Sequence, residues 1–244
     1  MPRWLKQIGS CIISFIIYAW LLNPKVALVL LGGIVFHECG HLYAAKYMGL
    51  KTNGLYIIPF VGGVSLIAGK YQRYSQMSFV LLAGPIAGAI LSLIFYLLYL
   101  CTGNVFIGTS AYWMAWLNLF NLIPLAMLDA GQLVEAILYS INDKVAAVFL
   151  TASYAIGAIL IGQINIFIAA WIIFLGVSVV WAAWRKISWK RQGLESLLPY
   201  QPQQMNARKI LVSIICYLLT VTMLLIIIYM CKGNYLHIMD LFKS

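Results

Sequence analysis

Five consecutive residues, His37-Glu38-Cys39-Gly40-His41, combine a metal-binding pair with an acid–base group. On a helix the two histidines lie one turn apart, so both imidazoles project from one face and can bind the same Zn2+. Glu38 is turned about 100° from His37 by the helical repeat, where a carboxylate can take a proton from an attacking water. The same HExxH pattern also fits a helix whose two histidines are merely satisfied by neighbouring carbonyls. The setting argues for chemistry. The chain has 3 His and 6 Asp/Glu in all, yet two of the former and one of the latter fall within this stretch, inside an apolar run from about Val26 to Met48. Ionisable groups near the middle of a membrane span cost several kcal/mol unless they are paired, liganded or neutralised.

Composition sets the surroundings. With 64% hydrophobic and 9% charged residues and a mean hydropathy of +0.94, the chain lies well outside the soluble range and reads as a polytopic membrane protein. Its net charge of +10 does not indicate nucleic acid, because the basic residues cluster at the ends of apolar runs, as the positive-inside rule requires. The bilayer, through anionic headgroups, is the expected partner of that charge. The 5 cysteines are odd in number and show no CxxC spacing, so free thiols are expected.

The elements that must position the motif are apolar helices. Arg3 and Lys6 precede a run from about Ile8 to Leu22 that ends at Asn23-Pro24 without a small-residue cleavage site, and is read as a retained span. The HExxH span follows, with Gly33, His37, His41 and Ala44 on one stripe and Gly40 beside it, a face open to close approach by another helix. Residues 54–69 are apolar but broken by Pro59 and the Gly62-Gly63 pair. Two short β-prone runs there predict a hairpin dipping into the membrane, either a structural re-entrant loop or an edge that pairs with an extended substrate.

Further spans are expected at about Met77 to Leu100, with small residues Gly84, Gly88 and Ser92 at helical spacing, and from Ala111 until Pro124 breaks the helix ahead of Asp129. An uncharged loop from Cys101 to Ser110 is expected between them. Gly131 to Asn142 reads as a short helix. Spans at about Ala146 to Ile161, Ile164 to Ala183 and Ile210 to Met230 complete an all-α fold of about seven transmembrane helices. The expected divisions are 1–25 (first span), 26–142 (the core bearing the motif), 143–184 (two further spans), 185–209 (a basic cytosolic linker) and 210–244 (last span and tail). Basic loops then fall on one side, placing the N-terminus in the cytosol.

A catalytic zinc site takes three protein ligands and leaves one position open. Few acidic residues can supply the third. Glu38 is the base, Glu195 lies in the basic linker, and Asp240 lies in the tail with His237. Asp143, beside Lys144, reads as half of a surface ion pair. Glu135 is conceivable but falls beyond the end of the fourth span. Asp129 remains, near the end of that span that shares its depth with the C-terminal end of the HExxH helix.

His37-Glu38-Cys39-Gly40-His41, followed some ninety residues later by Asn121-Leu122-Ile123-Pro124-Leu125-Ala126-Met127-Leu128-Asp129, resembles the site-2 protease family of intramembrane zinc metalloproteases, whose pattern is HExxH plus NxxPxxxLDG. Ala83-Gly84-Pro85 and the hairpin-like loop match the same layout. The resemblance spans roughly Val26 to Gly131. It implies that His37, His41 and Asp129 bind Zn2+, that Glu38 activates water, and that Asn121 positions the scissile peptide of a transmembrane or membrane-associated polypeptide substrate. It also implies a compact bacterial form in the plasma membrane; no PDZ or CBS domain is expected within these residues.

Two positions depart from the pattern. Ala130 stands where glycine usually follows the aspartate, and a second proline is absent at Ala126-Met127. The extra methyl is absorbed if the backbone at 130 has negative φ, and displaces Asp129 if it does not. Two other classes stay open at this point: a non-catalytic relative that binds metal or partners, and a metal transporter, which the lack of repeated halves disfavours.

Overall fold

A computed structural model describes residues 2–232, apart from 60–61, 164–165, 195, 197 and 199. Among the described residues there are eight α-helices and one two-stranded antiparallel sheet. Six helices are long and apolar enough to cross a membrane, and large apolar side chains such as Trp20, Tyr43, Phe174 and Leu219 stand exposed along them, as lipid-facing residues do. The protein is a multi-pass integral membrane protein. By contact the chain divides into two compact units: residues 1–70, 79–122 and 214–244 form the first, and residues 71–78 and 123–213 the second.

The first unit is built from α1 (Arg3–Leu21), α2 (Pro24–Tyr47), β1 (Thr52–Ile58), β2 (Gly62–Ile67), most of α3 (Tyr74–Thr102), α4 (Val105–Asn121) and most of α8 (Ala207–Cys231). Asn23 caps α2 by accepting from the Lys25 amide at 2.8 Å, with Pro24 at the first position, where its missing N–H costs nothing. The helix buries Ala27, Leu31, Gly33 and Ala44 with the HExxH motif and turns Leu28, Phe36, Tyr43 and Tyr47 outward. Its inner face packs on α1, α4 and both strands.

The hairpin forms where two β-prone runs flank Pro59 and the glycines. Its register pairs Leu55 with Ser65, Tyr56 with Val64, Ile57 with Gly63 and Ile58 with Gly62. A bulge between Thr52 and Leu55 holds Gly54 at φ +92°, where the Gln7 side chain also leaves no room for a Cβ. The outer edge of β1 is not bare. Gln7 Nε2 donates to the Asn53 carbonyl at 3.0 Å, Ser14 Oγ donates to the Ile57 carbonyl at 3.2 Å, and Ser10 Oγ accepts from the Ile57 amide at 3.2 Å. Three polar side chains of an otherwise apolar helix therefore meet the rule that backbone groups at membrane depth must be satisfied by protein.

Two expectations need adjustment. The expected loop from Cys101 to Ser110 is mostly helix, because Asn104 caps α4 by accepting from the Phe106 amide at 2.9 Å. The fourth apolar run also leaves the helix at Leu122, ahead of Pro124, so α4 has 17 residues.

The second unit holds the start of α3 with α5 (Asp129–Ile141), α6 (Asp143–Gly162) and α7 (Ile166–Arg191). Asp143 does not pair with Lys144. Its two oxygens accept from Lys186 Nζ at 2.6 Å and Lys190 Nζ at 2.5 Å, tying the start of α6 to the end of α7. Adjacent helical residues point about 100° apart, whereas packed neighbouring helices bring distant charges face to face.

Candidate metal centre

On α2, His37, Glu38 and His41 are only 3, 7 and 6% exposed. One-turn spacing brings the two Nε2 atoms to 3.0 Å, with the rings crossed at 76°. Each opposite ring nitrogen has an oxygen partner. His37 Nδ1 lies 2.8 Å from Asn118 Oδ1, and the Asn118 amide nitrogen donates to the Met114 carbonyl at 2.7 Å, which turns the oxygen toward the ring. His41 Nδ1 lies 2.8 Å from the Val80 carbonyl. Both oxygens can only accept, so each Nδ1 carries the proton and donates. The two Nε2 atoms are thereby turned toward each other.

That arrangement fits zinc. The two Nε2 atoms lie 3.0 Å apart, and two nitrogens on a tetrahedral zinc sit about 3.3 Å apart for bonds of about 2.0–2.1 Å. Hydrogen bonds from metal-binding imidazoles to oxygen acceptors are the usual means of fixing ring orientation.

Three glycines make the packing close enough. A Cβ at Gly84 would enter the His41 ring, one at Gly88 would enter the Asn118 amide, and one at Gly40 would stand 2.5 Å from the Ala83 carbonyl and 2.8 Å from the Ala87 methyl. The small-residue stripe expected on α3 thus serves a specific end. It lets α3 approach the histidines and the asparagine that orients them, and Asn118 itself is wholly buried.

Glu38 faces the hairpin. Ser65 Oγ donates to Glu38 Oε2 at 2.5 Å, and Gly63 leaves the space in which the glutamate side chain lies. Neither Asn118, Val80 nor Ser65 was singled out by spacing; all act across 27 to 81 residues of chain. One signal for Asn118 was present, since a side-chain amide inside an apolar span needs a buried partner.

In the second unit Asp129 is the first residue of α5. Its carboxylate adds to the effect of burial on the Tyr71 hydroxyl, whose pKa is pushed up to about 12. Ala130 is wholly buried and is the second residue of the helix, so its φ is negative and the methyl in place of the usual glycine is absorbed. The close approach falls one residue later. A Cβ at Gly131 would overlap the Leu125 carbonyl and stand 2.6 Å from the Ala126 nitrogen.

Asn121 closes α4 and is half-buried. Glu135, the other carboxylate considered, lies on α5 beside a cavity, where burial pushes its pKa up to about 7 against the opposing pull of Lys186. Glu195, His237 and Asp240 lie outside the described residues.

The stretch that bears the two histidines is similar to known proteins. Residues 25–115 match the model of Peptidase family M50. The chain is 32% identical over 128 residues to the putative zinc metalloprotease Rip3 of Mycobacterium tuberculosis, an overlap covering 49% of this chain and 32% of that protein. It is 30% identical over 130 residues to the zinc metalloprotease MJ0392 of Methanocaldococcus jannaschii, covering 49% and 38%. The putative zinc metalloprotease sll0528 of Synechocystis is 29% identical over 134 residues, covering 51% and 34%. The chain thus spans about a third of the length of the curated relatives it matches. Residues 25–115, which hold the paired histidines and the hairpin set against their glutamate, are thus similar to Peptidase family M50 and to proteins named zinc metalloproteases.

Proposed function

We propose that this protein is an intramembrane zinc metalloprotease that hydrolyses peptide bonds of membrane-spanning or membrane-associated polypeptides, with His37, His41 and Asp129 as the ligands. The observation that carries the reading is the pair of Nδ1-anchored imidazoles, whose Nε2 atoms face each other at 3.0 Å beside a buried glutamate. Bound there, zinc supplies a Lewis acid that polarises the scissile carbonyl and lowers the pKa of water. Glu38 accepts the proton of the attacking water and returns it to the departing amide nitrogen. Asn121 holds the scissile segment.

A peptide bond inside a helix is hydrogen-bonded and hidden, so the substrate must unwind before attack. Because α1 occupies the outer edge of β1, the extended substrate pairs with β2, on the strand whose Gly63 and Ser65 border Glu38. Basic residues at the ends of the apolar runs support a cytosolic N-terminus, and the resemblance to compact bacterial members of the family supports a bacterial plasma membrane.

The test is zinc content of the detergent-purified chain together with cleavage of a panel of single-span peptides. The expected result is about one zinc per chain, lost in His41→Ala and Asp129→Ala, and cleavage that Glu38→Gln abolishes. Undiminished zinc in Asp129→Ala would remove Asp129 from the ligand set. Cleavage that survives Glu38→Gln would remove the glutamate from the chemistry.

A further inference from the structure

The hairpin and the glutamate touch at a single charge-assisted hydrogen bond. Ser65 Oγ lies 2.5 Å from Glu38 Oε2 and 3.2 Å from the Glu38 carbonyl. A hydroxyl has one proton to give, and the shorter contact, of the length typical for O–H···O−, takes it. Two residues earlier on β2, on the same face, Gly63 is the counterpart. A Cβ there would collide with Glu38 Cγ and stand 2.7 Å from both Cδ and Oε1. The carboxylate thus lies flat along β2, one oxygen held by the hydroxyl and its body seated over a residue with no side chain.

A glutamate has three side-chain torsions, and α2 by itself fixes only where its Cβ starts. A base must keep one oxygen within hydrogen-bond reach of the proton it abstracts. We propose that Ser65 is a positioning residue for Glu38: its hydroxyl holds Oε2, leaves Oε1 for the reacting water, and makes the aim of the base depend on where β2 lies. The assignment rests on the protease reading for its effect on rate, but the mechanical link between β2 and Glu38 stands apart from it. If a substrate strand adds to β2, the strand that receives the substrate is also the strand that holds the base. Docking of an extended segment and readiness for proton transfer become one event.

Two measurements on the zinc-loaded chain test this. The first is hydrogen exchange of the amides of residues 62–67 in detergent, for Ser65→Ala, Glu38→Ala and the double variant. Each single change should speed exchange by about tenfold, the loss of one bond to a charged group, and the double should be no faster than the singles. Exchange in Glu38→Ala equal to that of the parent, or additive effects in the double, would overturn the link. The second is cleavage of the single-span peptides. Ser65→Ala should retain parental zinc content and KM while kcat falls by about tenfold to a hundredfold, and Ser65→Thr, which restores a hydroxyl in a residue at home in a strand, should recover most of it. A Ser65→Ala protein with parental kcat, or one altered in KM alone, would overturn the positioning role. If the parent cleaves no peptide while the exchange effects appear, the protease reading fails and the link remains.

Discussion

Around His37 and His41 every ring nitrogen that faces the protein meets an oxygen at 2.8 Å, and glycines leave no room for a Cβ at three points of contact. Around Glu135 and Lys186 the charged and aromatic groups, including Tyr74, Tyr139 and Arg185, instead border a cavity of about 460 Å³. Lys186 both pairs with Asp143 and stacks 4.2 Å over the Tyr139 ring, and Arg185 lies between Trp181 and Trp189, 4.2 and 4.7 Å from their rings. The first region fixes direction, with each donor and acceptor aimed at one partner. The second spreads charge over interchangeable partners beside open space. Buried polar groups that must point one way need a second layer of side chains to hold them, and charges that only need neutralising do not.

The contrast can be broken by substitution. The largest effect is expected for His41→Ala, which should abolish zinc binding as read by metal analysis. Glu38→Gln should keep the metal and lower peptide cleavage by about 10²–10⁴-fold, the range of general acid–base contributions. Asn118→Ala, which frees the His37 ring without touching a ligand, should weaken zinc by about 10–100-fold in a competition titration against a chelator. If it has no effect, the claim that the first region depends on its outer layer is wrong.

In the second region the changes should be smaller and seen in stability. Glu135 has a folded pKa of about 7 against 4.5 for the free group, so between these values the folded chain keeps a proton that the unfolded chain has released. Stability should therefore fall as pH rises from about 4.5 to about 7 and then level off. Glu135→Gln should flatten that slope and raise stability at pH 8 by about 1–2 kcal/mol, measured by thermal unfolding in detergent at both pH values. Lys190→Ala, at an exposed lysine whose pair shares Asp143 with Lys186, should cost about 0.5 kcal/mol or less. A loss as large as that of Asn118→Ala would show that the second network is as directional as the first.

How much of this was legible follows the range of the interactions. His37, Glu38 and His41 share one helix turn, so their geometry is local and reads directly from spacing. Asp129 could be proposed as a ligand because acidic residues are so few that elimination was workable. The hairpin was visible because Gly62-Gly63 and Pro59 interrupt an apolar run. The supports of the site were not visible. Asn118, the Val80 carbonyl and Ser65 reach it across helix and strand packing, and a backbone carbonyl has no sequence signature at all. Asp143 was paired with its neighbour Lys144 when its partners lie 43 and 47 residues away. Ala130 was the position of concern, yet the contact that admits no side chain belongs to Gly131, a distinction only the path of the backbone reveals.

Gln7, Ser10 and Ser14 on α1 also bear on how the molecule is made. Synthesis runs from the N-terminus, so the helix that caps the β1 edge leaves the ribosome before the strand it caps. When residues 52–58 emerge, the hydroxyls and amide that will receive their backbone have already been made. The partners of that edge therefore precede it, and order of birth favours its being covered as it forms.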